Sequence, residues 1–159
     1  MMKQFMFLLL LMLTARWSVA ENGYDLWLRY KPVANKNMLT SYKLAITEIL
    51  LENKSQTSAI IQDELKRGLE SMLGTKITFT STVKKEGTII IAGASSPLIG
   101  KTNIGKDLLK IGSEGYIIST QPINGKKCII ISGNTDVALL YGSFHFLRLL
   151  QTQETINNL

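Results

Sequence analysis

The run Thr88-Ile-Ile-Ile-Ala92, opened by Gly87, sets the tightest limit on what this chain can fold into. A strand with one face in water alternates polar and apolar residues, whereas an unbroken β-branched run belongs to a strand covered on both faces. Helices have to supply that cover. The rest of the sequence reads accordingly. Lys76 to Thr82 alternates and is expected to form a strand pair with 88–92, and Tyr116-Ile-Ile-Ser-Thr120 and Lys127-Cys-Ile-Ile-Ile-Ser132 read as two more strands. Between these two, Asn124-Gly125 can adopt positive φ at both turn positions and so marks a hairpin.

Helical spacing begins at Thr57. Ile60, Ile61, Leu65, Leu69, Met72 and Leu73 recur at that period, Asp63 and Glu64 read as favourable first-turn charges ahead of Lys66 and Arg67, and Gly74 supplies the stop. Part of Lys101 to Leu109 is expected to be helical. A last helix, capped by Asn134, Thr135 or Asp136, carries Val137, Leu140, Tyr141, Phe144, Leu147 and Leu150, with Gly142 permitting close approach to what it packs on. Near the start, Tyr24 to Tyr30 alternates, with Leu26, Leu28 and Tyr30 on one face and Asp25, Trp27 and Arg29 on the other, and reads as a first strand ended by Pro32. After the polar stretch Asn35–Ser41 and a helical turn, Ala45–Leu51 reads as a second strand, with helix as the alternative. The expected fold class is α/β: a mixed β-sheet with helices packed on it and several hairpins.

The first twenty residues stand apart. Lys3 precedes Phe5-Met-Phe-Leu-Leu-Leu-Leu-Met-Leu13, a run too short for a bilayer that needs about 20 apolar residues. Ser18-Val19-Ala20 offers the small residues a signal peptidase reads, so residues 1–20 are expected to be a signal peptide and 21–159 the mature domain, exported to the periplasm or the extracellular space, with no membrane association once the leader is cut. Loss of Lys3 and Arg16 takes 18 basic residues to 16 against 12 acidic, a charge of +4. The lysines are scattered and not interleaved with aromatics, which argues against nucleic acid. Cys128 is the one cysteine, so no internal disulfide forms, and its strand setting predicts a buried, inert thiol.

Reactive constellations are scarce. Ser95-Ser-Pro-Leu-Ile-Gly100-Lys101-Thr102 follows a strand as a phosphate loop would, but Ser95 replaces the first glycine and Pro97 removes a backbone donor. His145 is the one histidine and is expected at the edge of the core, so neither a catalytic triad nor a metal cluster can be assembled, and no cofactor is expected. Glu48 and Glu52 would share a helical face, but on a strand their surroundings differ and both read as solvated acids rather than a glycosidase pair. Trp27 and Arg29, sharing a strand face, form the one candidate substrate-binding pair: an aromatic face beside a guanidinium suits an acidic sugar, although burial against the interior is the ordinary role of such residues.

Gly23-Tyr-Asp-Leu-Trp-Leu-Arg-Tyr30, Asp63-Glu-Leu-Lys-Arg-Gly-Leu69, Ser95-Ser-Pro-Leu-Ile99, Glu114-Gly-Tyr-Ile117, Asn134-Thr-Asp-Val137, Leu140-Tyr-Gly142 and above all Phe144-His-Phe-Leu-Arg-Leu-Leu-Gln151 resemble the N-terminal domain of the glycoside hydrolase family 67 α-glucuronidases. The last block is also loosely similar to the final helix of the non-catalytic α/β accessory domain of hexosaminidases. The resemblance implies an enzyme that removes glucuronic or 4-O-methylglucuronic acid from xylan-derived oligosaccharides with inversion, its carboxylates lying in a (β/α)8 barrel downstream of this domain. It therefore implies no catalytic residue here, a connection into the barrel beginning about Leu159, and a xylo-oligosaccharide substrate for the complete enzyme. Three alternatives stay open: an accessory domain, a stand-alone module binding acidic xylo-oligosaccharides, and a truncated product. Monomer and homodimer are both open.

Overall fold

The computed structural model describes residues 29–159. The leader reading, the strand expected over Tyr24–Leu28 and Trp27 lie outside the described residues. Arg29 and Tyr30 are not in a strand; Tyr30 is buried and Arg29 is exposed.

Along the chain, α1 (Lys36–Ala45) leads to β1 (Glu48–Leu51), α2 (Gln56–Leu73), β2 (Thr78–Thr80), β3 (Thr88–Gly93), two short helices α3 (Pro97–Gly100) and α4 (Ile104–Leu108), the pair β4 (Tyr116–Ile123) and β5 (Lys126–Gly133), and α5 (Asp136–Gln151). The sheet is mixed, in the order β2-β1-β3-β5-β4, all parallel except β4, which runs antiparallel to β5. Ile49, Ile89, Ile91, Ile129 and Ile131 face α1, α2 and α5 and form the larger core with Leu65, Leu69, Phe146 and Leu147. Leu50, Ile90, Ala92, Cys128 and Ile130 point the other way, under Ile99, Ile104 and Leu108 of the short helices. The run 88–92 is buried at every position, as the absence of alternation demanded.

Local chemistry sets the element ends. The Ser55 and Ser58 side chains each accept from the other's backbone N–H in a reciprocal cap on α2, and Gly74 closes that helix at φ 65°. The Thr135 hydroxyl accepts from Ala138 N at 3.2 Å and starts α5. Asn124 and Gly125 take φ of 50° and 74°, the paired positive values of the expected hairpin.

Four expectations need correction. The strand expected from Ala45 starts at Glu48, because the Asn35 side chain accepts from the N–H groups of Asn37 and Met38 and extends a helix through Ala45. The regions 76–82 and 88–92 are not paired: β1 lies between β2 and β3, parallel to both, and β4–β5 is the one hairpin among the described residues. An all-apolar β3 needs apolar neighbours on both sides, which Ile49–Leu51 and Ile129–Ile131 supply, whereas Thr78-Phe79-Thr80 suits a short edge. Asp63 and Glu64 fall well inside α2 because the Ser55 cap starts it at Gln56. Finally, α5 buries Ala138, Leu139, Gly142, Ser143, Phe146, Leu147 and Leu150, leaving Val137 41% and Tyr141 45% exposed. Counting only large apolar residues rotated that face. The small ones matter because a Cβ on Gly142 would stand 2.6 Å from Cγ2 of Ile131, so helix and sheet touch there.

Leu147 is 1% exposed and lies against Gly68 of α2. Leu147→Asp should cost about 3–5 kcal/mol, or force the carboxyl to stay protonated, and lower the melting temperature by roughly 10 °C. Thermal denaturation followed by circular dichroism checks this, and an unchanged midpoint would refute the packing of that face.

Candidate functional site

In an open sheet with parallel strands, ligands favour the carboxyl ends of the strands where the strand order reverses. Here that point lies beyond Leu51 and Gly93, since β2 and β3 flank β1 on opposite sides. The protein's own side chains cross-link this end of the sheet, beside an open groove of about 620 Å3 lined by Leu51, Asn53, Ser55 and Gln56. Asn53 Nδ2 donates to Asp136 Oδ1 at 2.6 Å, tying the exit of β1 to the first turn of α5. Asn134 Nδ2 donates to the carbonyls of Leu108 at 2.9 Å and Ile111 at 3.1 Å, and the Thr135 hydroxyl to Ser113 O at 2.6 Å. Hydrogen bonds from Ser55 and Asn53 outweigh partial burial and hold the Asp136 carboxyl below the usual carboxylate range. Ionised, it accepts the Asn53 hydrogen bond and so braces β1 against α5.

The remaining interior groups are engaged in the same way. Glu48, expected in solvent, is buried: its strand position points it into the smaller core, where it accepts from Thr88 Oγ1 at 3.3 Å and lies 3.5 Å from Lys85 Nζ. Glu52 is exposed, so the two acids occupy different surroundings, as their strand reading required. Glu64, also buried, accepts from the Tyr30 hydroxyl and from Arg67. Cys128 is fully buried and its thiol pKa is raised, chiefly by burial, as the strand setting predicted. In the loop 95–102, Ser96 Oγ accepts from Leu98 N at 3.1 Å and caps α3, so it acts on its own turn. At the opposite end of the sheet, Leu44, Ala45, Ile129 and Ile156 line an apolar cleft of about 230 Å3.

One outward-facing cluster differs in kind. His145 is exposed rather than at the core edge, and its Nδ1 is 2.8 Å from the Tyr116 hydroxyl, with the two rings edge to face at 5.7 Å. Arg148, one turn further along α5, joins Tyr116, Phe144 and His145 around a groove of about 420 Å3. Sequence reasoning missed this grouping. The signal was the three-residue spacing of His145 and Arg148, which puts both on one side of a helix. Tyr116 could not be added without knowing that β4 lies beside α5. Of the candidate pair Trp27 and Arg29, only Arg29 is described. It is exposed, and its carbonyl accepts from Gln151 Nε2 at 3.3 Å near the end of α5.

Comparison with known proteins gives these elements a family. The model of the glycosyl hydrolase family 67 N-terminus matches residues 26–146, which take in the whole sheet and most of α5. The chain belongs to that family. It is 31% identical to the probable alpha-glucuronidase A of Neosartorya fischeri over 84% of this chain and 15% of the relative. Against the alpha-glucuronidase of Hypocrea jecorina the identity is 32% over 90% of this chain and 17% of the relative. The probable alpha-glucuronidase A of Aspergillus terreus is 27% identical over 87% and 16%. The chain thus spans only about one sixth of the length of these relatives.

In this family 67 domain the Asp136 brace has a pH signature. A carboxyl whose folded pKa is depressed stabilises fully above its unfolded titration, near pH 4, and that contribution disappears as pH falls through the lower folded value. Asp136→Asn should therefore lower the melting temperature at pH 7, and the gap from the parent should narrow toward pH 3. A gap independent of pH would show that the charge is not what holds β1 to α5.

Proposed function

We propose that this chain is the non-catalytic amino-terminal part of an exported α-glucuronidase acting on glucuronic or 4-O-methylglucuronic acid side groups of xylan-derived oligosaccharides, with a (β/α)8 barrel supplying the chemistry. The observation that carries the reading is the state of the interior acids. Glycoside hydrolysis with inversion uses two carboxyl groups about 6.5–9.5 Å apart across a cleft, one of them able to give a proton. Glu48 and Glu64 are buried with partners from the fold, and the partly exposed Asp136 is bonded to Asn53, so no such pair faces a cleft among these three. The names and lengths of the relatives support the same division, since this chain corresponds to a small fraction of each alpha-glucuronidase. The domain's role is then to pack against the catalytic part. Residues 1–20 serve as the export leader in this reading.

Two measurements test it. Incubated with 4-O-methylglucuronosyl xylo-oligosaccharides, the chain should release no uronic acid, and release at an enzymatic rate would overturn the accessory role. Mass spectrometry of protein recovered from the exported fraction should give a chain beginning at Glu21, and an intact Met1 terminus there would overturn the leader reading.

A further inference from the structure

We propose that the surface formed by Tyr116, Phe144, His145 and Arg148 is a binding site for uronic-acid-bearing xylo-oligosaccharides, with Arg148 taking the carboxylate. The choice of sugar rests on the α-glucuronidase reading above; the preference for a carboxylate rests on geometry. Arg148 is exposed and makes no ion pair among the described residues, so its guanidinium is available for a two-point contact with a carboxylate. His145, a turn earlier, is oriented by the Tyr116 hydroxyl at 2.8 Å from Nδ1. The imidazole and the guanidinium line the same groove, so a ligand there meets both. Fixing an exposed ring by a hydrogen bond at the far nitrogen lowers the entropy lost when a ligand uses the near one.

The shape suits a chain of sugars better than a lone anion. The groove lined by Tyr116, Phe144, His145 and Arg148 adjoins a second, of about 530 Å3, which shares His145 and Arg148 and continues past Thr152 and Thr155 to Glu154. Tyr116 and Phe144 are partly exposed and give the first groove apolar surface of the kind on which the CH face of a pyranose packs. The second groove offers the hydroxyls of Thr152 and Thr155, the Glu154 carboxylate, and Leu149 and Leu159. Glu154 would repel a second acid and accept from sugar hydroxyls, so the charges order the ligand: uronate at Arg148, neutral xylose units toward Glu154. Trp27 and Arg29 were the pair in the sequence that suggested an acidic sugar, and this surface meets the same chemical demand with residues from β4 and α5.

The test is titration of the full chain, by calorimetry and by NMR, with three probes: 4-O-methylglucuronosyl xylotriose, neutral xylotriose and free glucuronate. The branched acid should bind at least tenfold more tightly than either of the others, and the shifted resonances should include Tyr116 and His145. Arg148→Gln should reduce the affinity for the acidic oligosaccharide to that for xylotriose, and Tyr116→Phe should weaken it severalfold while circular dichroism shows both variants folded. Equal affinity for acidic and neutral oligosaccharides, free glucuronate binding as well as the oligosaccharide, an unaffected Arg148→Gln variant, or no binding at all would each overturn the proposal. These outcomes are separate from uronic acid release, which bears on the accessory role alone.

Discussion

Two adjacent strands that cannot face water govern the architecture. Ile89, Ile90 and Ile91 of β3 lie beside Ile129, Ile130 and Ile131 of β5, and all six are buried. Covering both sides of such a pair requires a layer on each face, which is why α2 and α5 occupy one and the short α3 and α4 the other. Burial at this density leaves little slack. Gly142 lets α5 touch Ile131, and Gly68 lets Leu147 of α5 approach α2, so each small residue on the inner faces marks a place where a side chain would hold the layers apart. The sheet edges are modest by comparison. β2 has three residues, and β4 carries Pro122 at a position of the same parity as Thr120, whose N–H turns outward to Leu159 O at 3.0 Å. Pro122 therefore lacks its N–H on the free side, where no ladder bond is lost.

How much of this could be read in the residues followed from the range of the interactions involved. The buried run 88–92, the stop at Gly74 and the turn at Asn124-Gly125 are local properties of φ and of side-chain period, and all were legible. The order of the strands was not. Sequence proximity of 76–82 and 88–92 suggested pairing, but β1 separates them because the sheet is arranged by which strands can be buried on both faces. The α5 face was misjudged for a related reason: Ala138, Gly142 and Ser143 add little to an apolar pattern, yet they are the residues that permit the closest contact. Glu48 shows the limit from the polar side. Its neighbours gave no sign that Thr88 and Lys85, some forty residues on, would be present to satisfy it.

Buried carboxylates in a domain of this size demand partners, because an isolated charge taken out of water is costly. Here those partners are the fold itself: Thr88 and Lys85 for Glu48, Tyr30 and Arg67 for Glu64. Each pairing joins elements distant in sequence or stabilises a helix from its side. Asp136 follows the same logic at the crevice where an open α/β sheet would usually receive a ligand. By bonding to Asn53 it links β1 to α5. The interior carboxylates thus tie elements of the fold to one another, whereas Tyr116 and His145 pair at the surface.

The helix α5 carries that division in one element. Its inner stripe, Leu139, Gly142, Phe146 and Leu150, meets the sheet and α2, while Val137, Tyr141, His145 and Arg148 recur at a spacing of three or four residues on the outer side. A helix with only a solubility requirement on its outer face would carry small charged residues there at no cost to the core. This one carries two aromatic rings and a guanidinium, and one of the rings, His145, is held in place by Tyr116 of β4. Orientation of an exposed side chain by a residue from a different element adds nothing to the burial that stabilises the sheet. It does fix the direction in which the ring faces solvent, and that is the property a binding surface needs. The small residues of the inner stripe make it possible, since they draw α5 close enough to the sheet for Tyr116 to lie against Gly142, one turn from the histidine it holds.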